Sequence, residues 1–205
     1  MKIFGDLGSG NCLKVKYTAD HIGLPYTWVP VDIMKSETRT PEFLDRFPFG
    51  RIPAVELDDG RCLAESNAII RYLARGSALL PDDAFTQAKV DELLFWEQYS
   101  HEPYIATTRY HIVYLKRTLD QREAWRVERG EAALDTVDRR LLAGRSWLVG
   151  ETMTIADIAL LAYTRLAPEG GFDLSSRPNV RAWIGRCEDV LGLEPAGHYP
   201  PGVSA

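Results

Sequence analysis

A chain of 205 residues can bury a large core as one domain or two small ones, and 45% hydrophobic with 26% charged residues is an ordinary globular composition. A formal charge of −5 supplies no basic field for nucleic acid or anionic lipid, which speaks against both as partners. No apolar run approaches the roughly 18 residues of a membrane-spanning helix.

The first residues, Met1 to Asp6, lack the long apolar region of a signal peptide. Cys12, Cys62 and Cys187 are an odd number at distant positions, which argues against a disulfide framework and for a reducing, cytoplasmic compartment. His21, His101, His111 and His198 show no ligand spacing and no cysteine pair forms C-x-x-C, so no metal site is expected.

In chain order, Lys2 to Gly5 is a short apolar strand that runs into the turn Gly8-Ser9-Gly10-Asn11. Cys12 to Ile22 reads as a helix closed by Gly23, with Pro25 beyond it. Tyr26 to Val31 is β-branched and aromatic, hence a strand, and Pro30 places it at an edge or end. Thr40-Pro41-Glu42 starts a short helix. Pro53 to Leu57 and Arg61 to Ala64 flank Asp58-Asp59-Gly60 as a hairpin, and Ser66 to Arg75 places Ile69, Ile70 and Leu73 on one helical face. The order β-α-β-α-β-β-α predicts a parallel pair followed by an antiparallel hairpin under helices.

Gly76 to Asp83 reads as a linker, after which strand signals cease. Helical spacing runs over Phe85 to Tyr99 and Tyr104 to Lys116, with a kink or break expected at Glu102-Pro103. Gln121 to Leu142, Thr154 to Leu166 and Pro178 to Leu191 complete an all-α half. Thr154 and Asp157 form a capping box with Met153 and Ile158 as its hydrophobic staple, a folding feature worth about 1 kcal/mol.

Three separated segments carry possible chemistry. Ser9-Gly10-Asn11-Cys12 lies where the first strand meets the first helix, the end of an open sheet that binds ligands, and its hydroxyl sits beside helix N–H groups that favour an anion. Ser9 or Asn11 serving only as a helix cap is the plain alternative. Gly50 to Val55 has a proline opening a strand; were it cis, the Ile52 backbone would face outward and could pair with a peptide-like ligand. The alternative is an ordinary trans proline. Glu65 and Ser66 open a helix, where N–H and hydroxyl suit a carboxylate and Glu65 an ammonium; again the alternative is a cap.

These segments, in this order, resemble the cytosolic glutathione transferase family over nearly the whole chain. The resemblance rests on Ser9 to Val15, Arg51 to Val55 and Glu65 to Leu73, then on Phe95 to Pro103, Leu148-Val149-Gly150 through Ala159, and Glu169 to Leu174 with Trp183. It implies an α/β plus all-α architecture: a thioredoxin-like glutathione-binding domain over residues 1–76, a linker over 77–86 and a helical domain over 87–205. It implies a cis Pro53, Ile52 paired with the cysteinyl unit, Glu65 and Ser66 on the γ-glutamyl end, and Arg39 and Arg51 near the glycyl carboxylate. Ser9 matches the catalytic serine of serine-type members, Asn11 is its rival, and Cys12 resembles the cysteine of members that form a mixed disulfide with glutathione. Tyr104, Thr107, Thr108 and His111 are candidates for a pocket holding a small electrophile. Glutathione is the implied co-substrate, and a homodimer the implied assembly. A Cys12-dependent disulfide oxidoreductase and a non-catalytic interaction module are the two competing functions.

Overall fold

The computed structural model describes residues 1–195; the end of the expected helical domain and His198 lie outside the described residues. The chain forms two compact units, Met1–Ser77 and Ala78 onward.

In the first unit, β1 (Lys2–Gly5) pairs in parallel with β2 (Thr27–Pro30) and antiparallel with β3 (Ala54–Glu56), which pairs antiparallel with β4 (Cys62–Ala64). The order β2-β1-β3-β4 puts Pro30 at the end of an edge strand, where its missing N–H costs no ladder bond. The pleat sends Ile3 and Phe4 to opposite faces. Phe4 packs with Val31, Phe43, Phe47 and Ala54, the last three rings and methyls being brought up by α2 (Pro41–Arg46) and β3. Thr40 caps α2 by accepting the Phe43 N–H at 3.3 Å. The remaining helices, α1 (Gly10–His21) and α3 (Ser66–Leu73), pack on one another and bury Cys12, Val15, Ile69 and Ile70 completely.

The second unit is helical. Where a kink or break was expected at Glu102-Pro103, α4 (Ala84–Trp96) passes through a π-turn at Glu97–His101 into α5 (Glu102–Val113). Pro103 falls in the first turn of α5, where a missing N–H costs nothing. A second π-turn, Val137–Leu141, ends α6 (Ala124–Thr136). Every residue of α7 (Ile155–Thr164) is buried, as befits a helix that is apolar apart from Asp157, Tyr163 and Thr164. The capping box at its start is formed, and Asp157 does more than cap: its Oδ1 also accepts from the Leu148 N–H at 3.0 Å and the Trp183 indole at 2.9 Å. Trp183 is brought there by α8 (Pro178–Leu191). The core joins Ile105, Leu134, Tyr163 and Phe172, and Gly130 is required because a Cβ there would lie 2.6 Å from the Phe172 ring. Among the described residues no helix is long and apolar enough to cross a membrane.

Candidate functional site

Strand register gathers the three candidate segments at one edge of the sheet. Phe4 pairs with Ala54, and Ala54 with Ala64. The loop leaving β1, the residues entering β3 and the residues leaving β4 therefore emerge side by side. These are Asp6 to Asn11, Arg51 to Pro53, and Glu65 with Ser66.

The loop after β1 is set by Asp6, whose carboxylate accepts the Gly8 N–H at 2.8 Å and whose carbonyl accepts the Ser9 N–H at 3.0 Å. Ser9 then occupies the N-cap position of α1 without spending its hydroxyl on a helix N–H. The simple capping alternative for Ser9 is thus not the one adopted, and the first turn of α1 carries no acid to compete with an incoming anion. Asn11 is engaged by Ser66, whose hydroxyl donates to Asn11 Oδ1 at 3.1 Å, tying the start of α1 to the start of α3.

Cys12 is fully buried, and that burial pushes its thiol up to about 12, despite the Asp6 backbone and the Ser9 hydroxyl beside the sulfur. A sulfur closed from solvent is poorly placed to meet a disulfide, so the packing speaks against Cys12 as a nucleophile.

On the β3 side the Ile52–Pro53 bond is cis, the isomer the resemblance implies. Ile52 packs its side chain against the Phe4 cluster, and its backbone N–H and C=O make no hydrogen bond among the described residues. Gly50, at φ +57°, lies against the Arg39 guanidinium: a Cβ there would be 2.6 Å from Arg39 Nη1. Arg39 thereby joins Arg51 at the lip of this loop, and both are exposed without an ion pair among the described residues.

Glu65 stands at the N-cap of α3 with φ 69° and ψ 113°, a backbone conformation that costs a non-glycine residue about 1–3 kcal/mol. Its carboxylate is exposed and does not cap the helix. One residue missed by the sequence reading joins the site. Lys14, fully buried, reaches Ser66 Oγ and Asn67 Oδ1, both at 3.4 Å.

The helical unit places its four candidates on α5 less uniformly. Tyr104 meets Trp125 edge-on at 6.3 Å and accepts a hydrogen bond from Arg129 at 3.2 Å. His111 lies 3.9 Å from Glu123, and burial, then Arg117 and Arg126, hold its pKa below the usual range. Thr108 is buried and donates to the Tyr104 carbonyl of its own helix at 2.6 Å; Thr107 is half-buried. Tyr104 and His111 thus engage the start of α6 and the residue before it, and Thr108 turns back on its own backbone. No group of three or more His, Cys, Asp or Glu side chains gathers as a metal site among the described residues.

Comparison with known proteins matches residues 1–75 to the glutathione S-transferase N-terminal domain and residues 119–186 to the C-terminal domain of the same family. A glutathione S-transferase of Arabidopsis thaliana is 33% identical over 196 residues, covering 89% of each chain. The glutathione S-transferase structure from Pseudomonas fluorescens superposes with a TM-score of 0.88 at 46% identity over 97% of both chains. That from Xanthobacter autotrophicus gives 0.89 at 43% identity over 96% of both. With matched models over both units and a relative of this identity along most of its length, the chain belongs to the glutathione S-transferase family.

Proposed function

We propose that the protein is an enzyme that binds glutathione on its first unit, ionises the thiol, and directs the thiolate at a small electrophile. The observation that carries this reading is the Ser9 hydroxyl at the N-terminus of α1, which caps no helix N–H and lies beside the Cys12 sulfur, together with an Ile52 backbone unpaired among the described residues and the strained Glu65. In this reading Ile52 pairs with the cysteinyl unit, the start of α3 with Glu65 and Ser66 receives the γ-glutamyl end, and Arg39 and Arg51 attract the glycyl carboxylate. Ser9, with Asn11 as its rival, donates to the sulfur.

The energetics are sufficient. A free thiol of pKa about 8.5 is roughly 3% ionised at pH 7, and lowering it by ~2 units requires about 2.7 kcal/mol. A hydrogen bond to a charged acceptor gives roughly 1.5–3 kcal/mol, and a helix N-terminus ~0.3–1 kcal/mol. The thiolate then displaces a leaving group, which departs as the free anion, or opens a strained ring, whose alkoxide takes up a proton from solvent; a carbon–sulfur bond forms in either case. Tyr104, Thr107 and His111 remain our candidates for contacting the electrophile.

The same reading takes the protein as a cytoplasmic homodimer. Three free cysteines suit a reducing compartment. Phe85, Phe95 and Tyr99 are 74%, 76% and 81% exposed at helical spacing along α4 and its π-turn, an apolar stripe suited to a second copy. Ser9→Ala tests the chemistry: kcat/KM for glutathione with a chlorinated aromatic should fall about tenfold or more with glutathione affinity kept. Unchanged turnover would remove Ser9 from the mechanism and leave Asn11.

A further inference from the structure

We propose that the helical unit holds a site for an aromatic carboxylate where α5 meets the start of α6, and that the electrophile is a molecule of this class; the second clause rests on the glutathione reading above. Three guanidinium groups and an imidazole gather there around one paired carboxylate. Glu123 pairs with Arg126 and lies 3.9 Å from His111. Arg117 and Arg129 make no ion pair among the described residues, so theirs are the charges left for a ligand.

Glu123 does not balance this charge. Burial, then Arg117 and Arg126, lower the His111 pKa, and burial, then Arg117, lowers that of Arg126. Cations that act on one another in this way sit in a field that an anion relieves. The imidazole can shed its proton near neutral pH, but the arginines stay charged. The field is local, since the whole chain carries −5. That overall charge disfavours a polyanion or an anionic membrane and leaves a small anion as the occupant.

Rings supply the second half of the recognition. Arg126 Cζ lies 4.6 Å from the centre of the Trp125 ring, and Arg129 Cζ 5.6 Å from those of both Trp125 and Tyr104. Arg129 gives one N–H to the Tyr104 hydroxyl at 3.2 Å, and a guanidinium has five. A guanidinium laid on a ring keeps in-plane donors that a carboxylate can meet in pairs. Trp125, set edge-on to Tyr104, is 50% exposed, so aromatic surface stays open beside the cations. An aryl carboxylate satisfies both features; a neutral arene or an aliphatic acid satisfies one. Tyr104 and His111, already our candidates for contacting the electrophile, belong to this same cluster.

The test compares 4-chloro-3-nitrobenzoate with 4-chloro-3-nitrobenzamide, which differ in charge at nearly constant shape. In either, the glutathione thiolate attacks the carbon bearing chlorine, a carbon–sulfur bond replaces the carbon–chlorine bond, chloride leaves, and the carboxylate or amide is untouched. Without glutathione, calorimetry on wild type should show the benzoate bound about tenfold more tightly than the benzamide. With glutathione, kcat/KM divided by each uncatalysed rate should favour the benzoate similarly, and about 0.5 M salt should shrink the preference roughly threefold. Arg117→Gln with Arg129→Gln, both at exposed positions, should bring the preference within about twofold of unity, whereas Arg140→Gln on the second π-turn should keep it. Equal binding of the two ligands by wild type, or a preference that survives the double variant, overturns the inference. Conjugation of both at equal normalised rates keeps the glutathione reading and refutes the anionic electrophile. Preferential benzoate binding with neither compound conjugated sinks the glutathione reading and leaves the anion site standing.

Discussion

The two units use their polar groups in opposite ways. In the helical unit those around Asp157, Asp138 and Arg177 are turned inward and satisfied. Asp157 accepts from Leu148, Thr154 and Trp183; Asp138 accepts the Asn179 and Val180 N–H groups at 2.9 and 3.0 Å; buried Arg177 binds Glu131 and Asp135 at 2.6 and 2.7 Å. At the candidate site of the first unit, the Ser9 hydroxyl caps no helix N–H, Ile52 leaves its backbone pair unbonded among the described residues, and Glu65 holds a strained φ. Such groups cost stability wherever no ligand rewards them, so on the proposed function the contrast would separate residues that build this protein from residues that act for it.

The comparison is broken most easily at Asp157. Asp157→Ala strands the buried Leu148 N–H and Trp183 indole, and a loss of roughly 3 kcal/mol or more is expected in urea unfolding, with glutathione affinity of the folded protein unchanged. If affinity falls with stability, inward and outward polar groups are not separable. Ser9→Ala is the converse: turnover drops about tenfold or more while the urea midpoint moves by less than ~0.5 kcal/mol equivalent.

Glu65→Gly sharpens the contrast within one residue. Glycine tolerates φ 69°, so stability should rise by about 1 kcal/mol, while glutathione affinity falls about tenfold from loss of the carboxylate. A variant that is neither more stable nor weaker in binding would show that Glu65 is an ordinary turn residue.

The smallest effect belongs to His111. Its folded pKa lies below the unfolded value of 6.5, so the unfolded chain takes up the proton first and stability is lost as pH falls through that range. Melting temperature should therefore decline below about pH 6.5, and His111→Gln should flatten the decline. An equally steep decline in the variant would place the titrating group elsewhere.

Much of this was legible from residues alone, for identifiable reasons. Caps and turns are local chemistry, so Thr40, the Asp58-Asp59-Gly60 hairpin and the Thr154–Asp157 box could be read directly, and with them the order of strands and helices. The site segments could be picked out because each is a strand end or helix start. Their meeting depends on register between Phe4, Ala54 and Ala64, which no single segment encodes.

What escaped the sequence was long-range. Proline chemistry says that an α-helical bond is lost near Pro103, not that a π-turn will carry the chain past it. Lys14 lies between apolar neighbours on a helix, where a lysine ordinarily reaches water; only the packing of α1 on α3 closes over it. Cys12 looked like chemistry from its place beside Ser9, and the same packing makes it core. Tyr104 and His111 fell on the expected face of α5, but their partners Trp125, Arg129 and Glu123 come from α6 and the residue before it.

Calorimetry of glutathione binding in two buffers of different ionisation enthalpy goes straight to the claim on which the account stands. At about pH 7.5, uptake of one tripeptide per chain with release of close to one proton is the predicted result, because a thiol brought ~2 units below its free pKa ionises on binding. Binding heat with no proton released, or no binding heat at all, would contradict it.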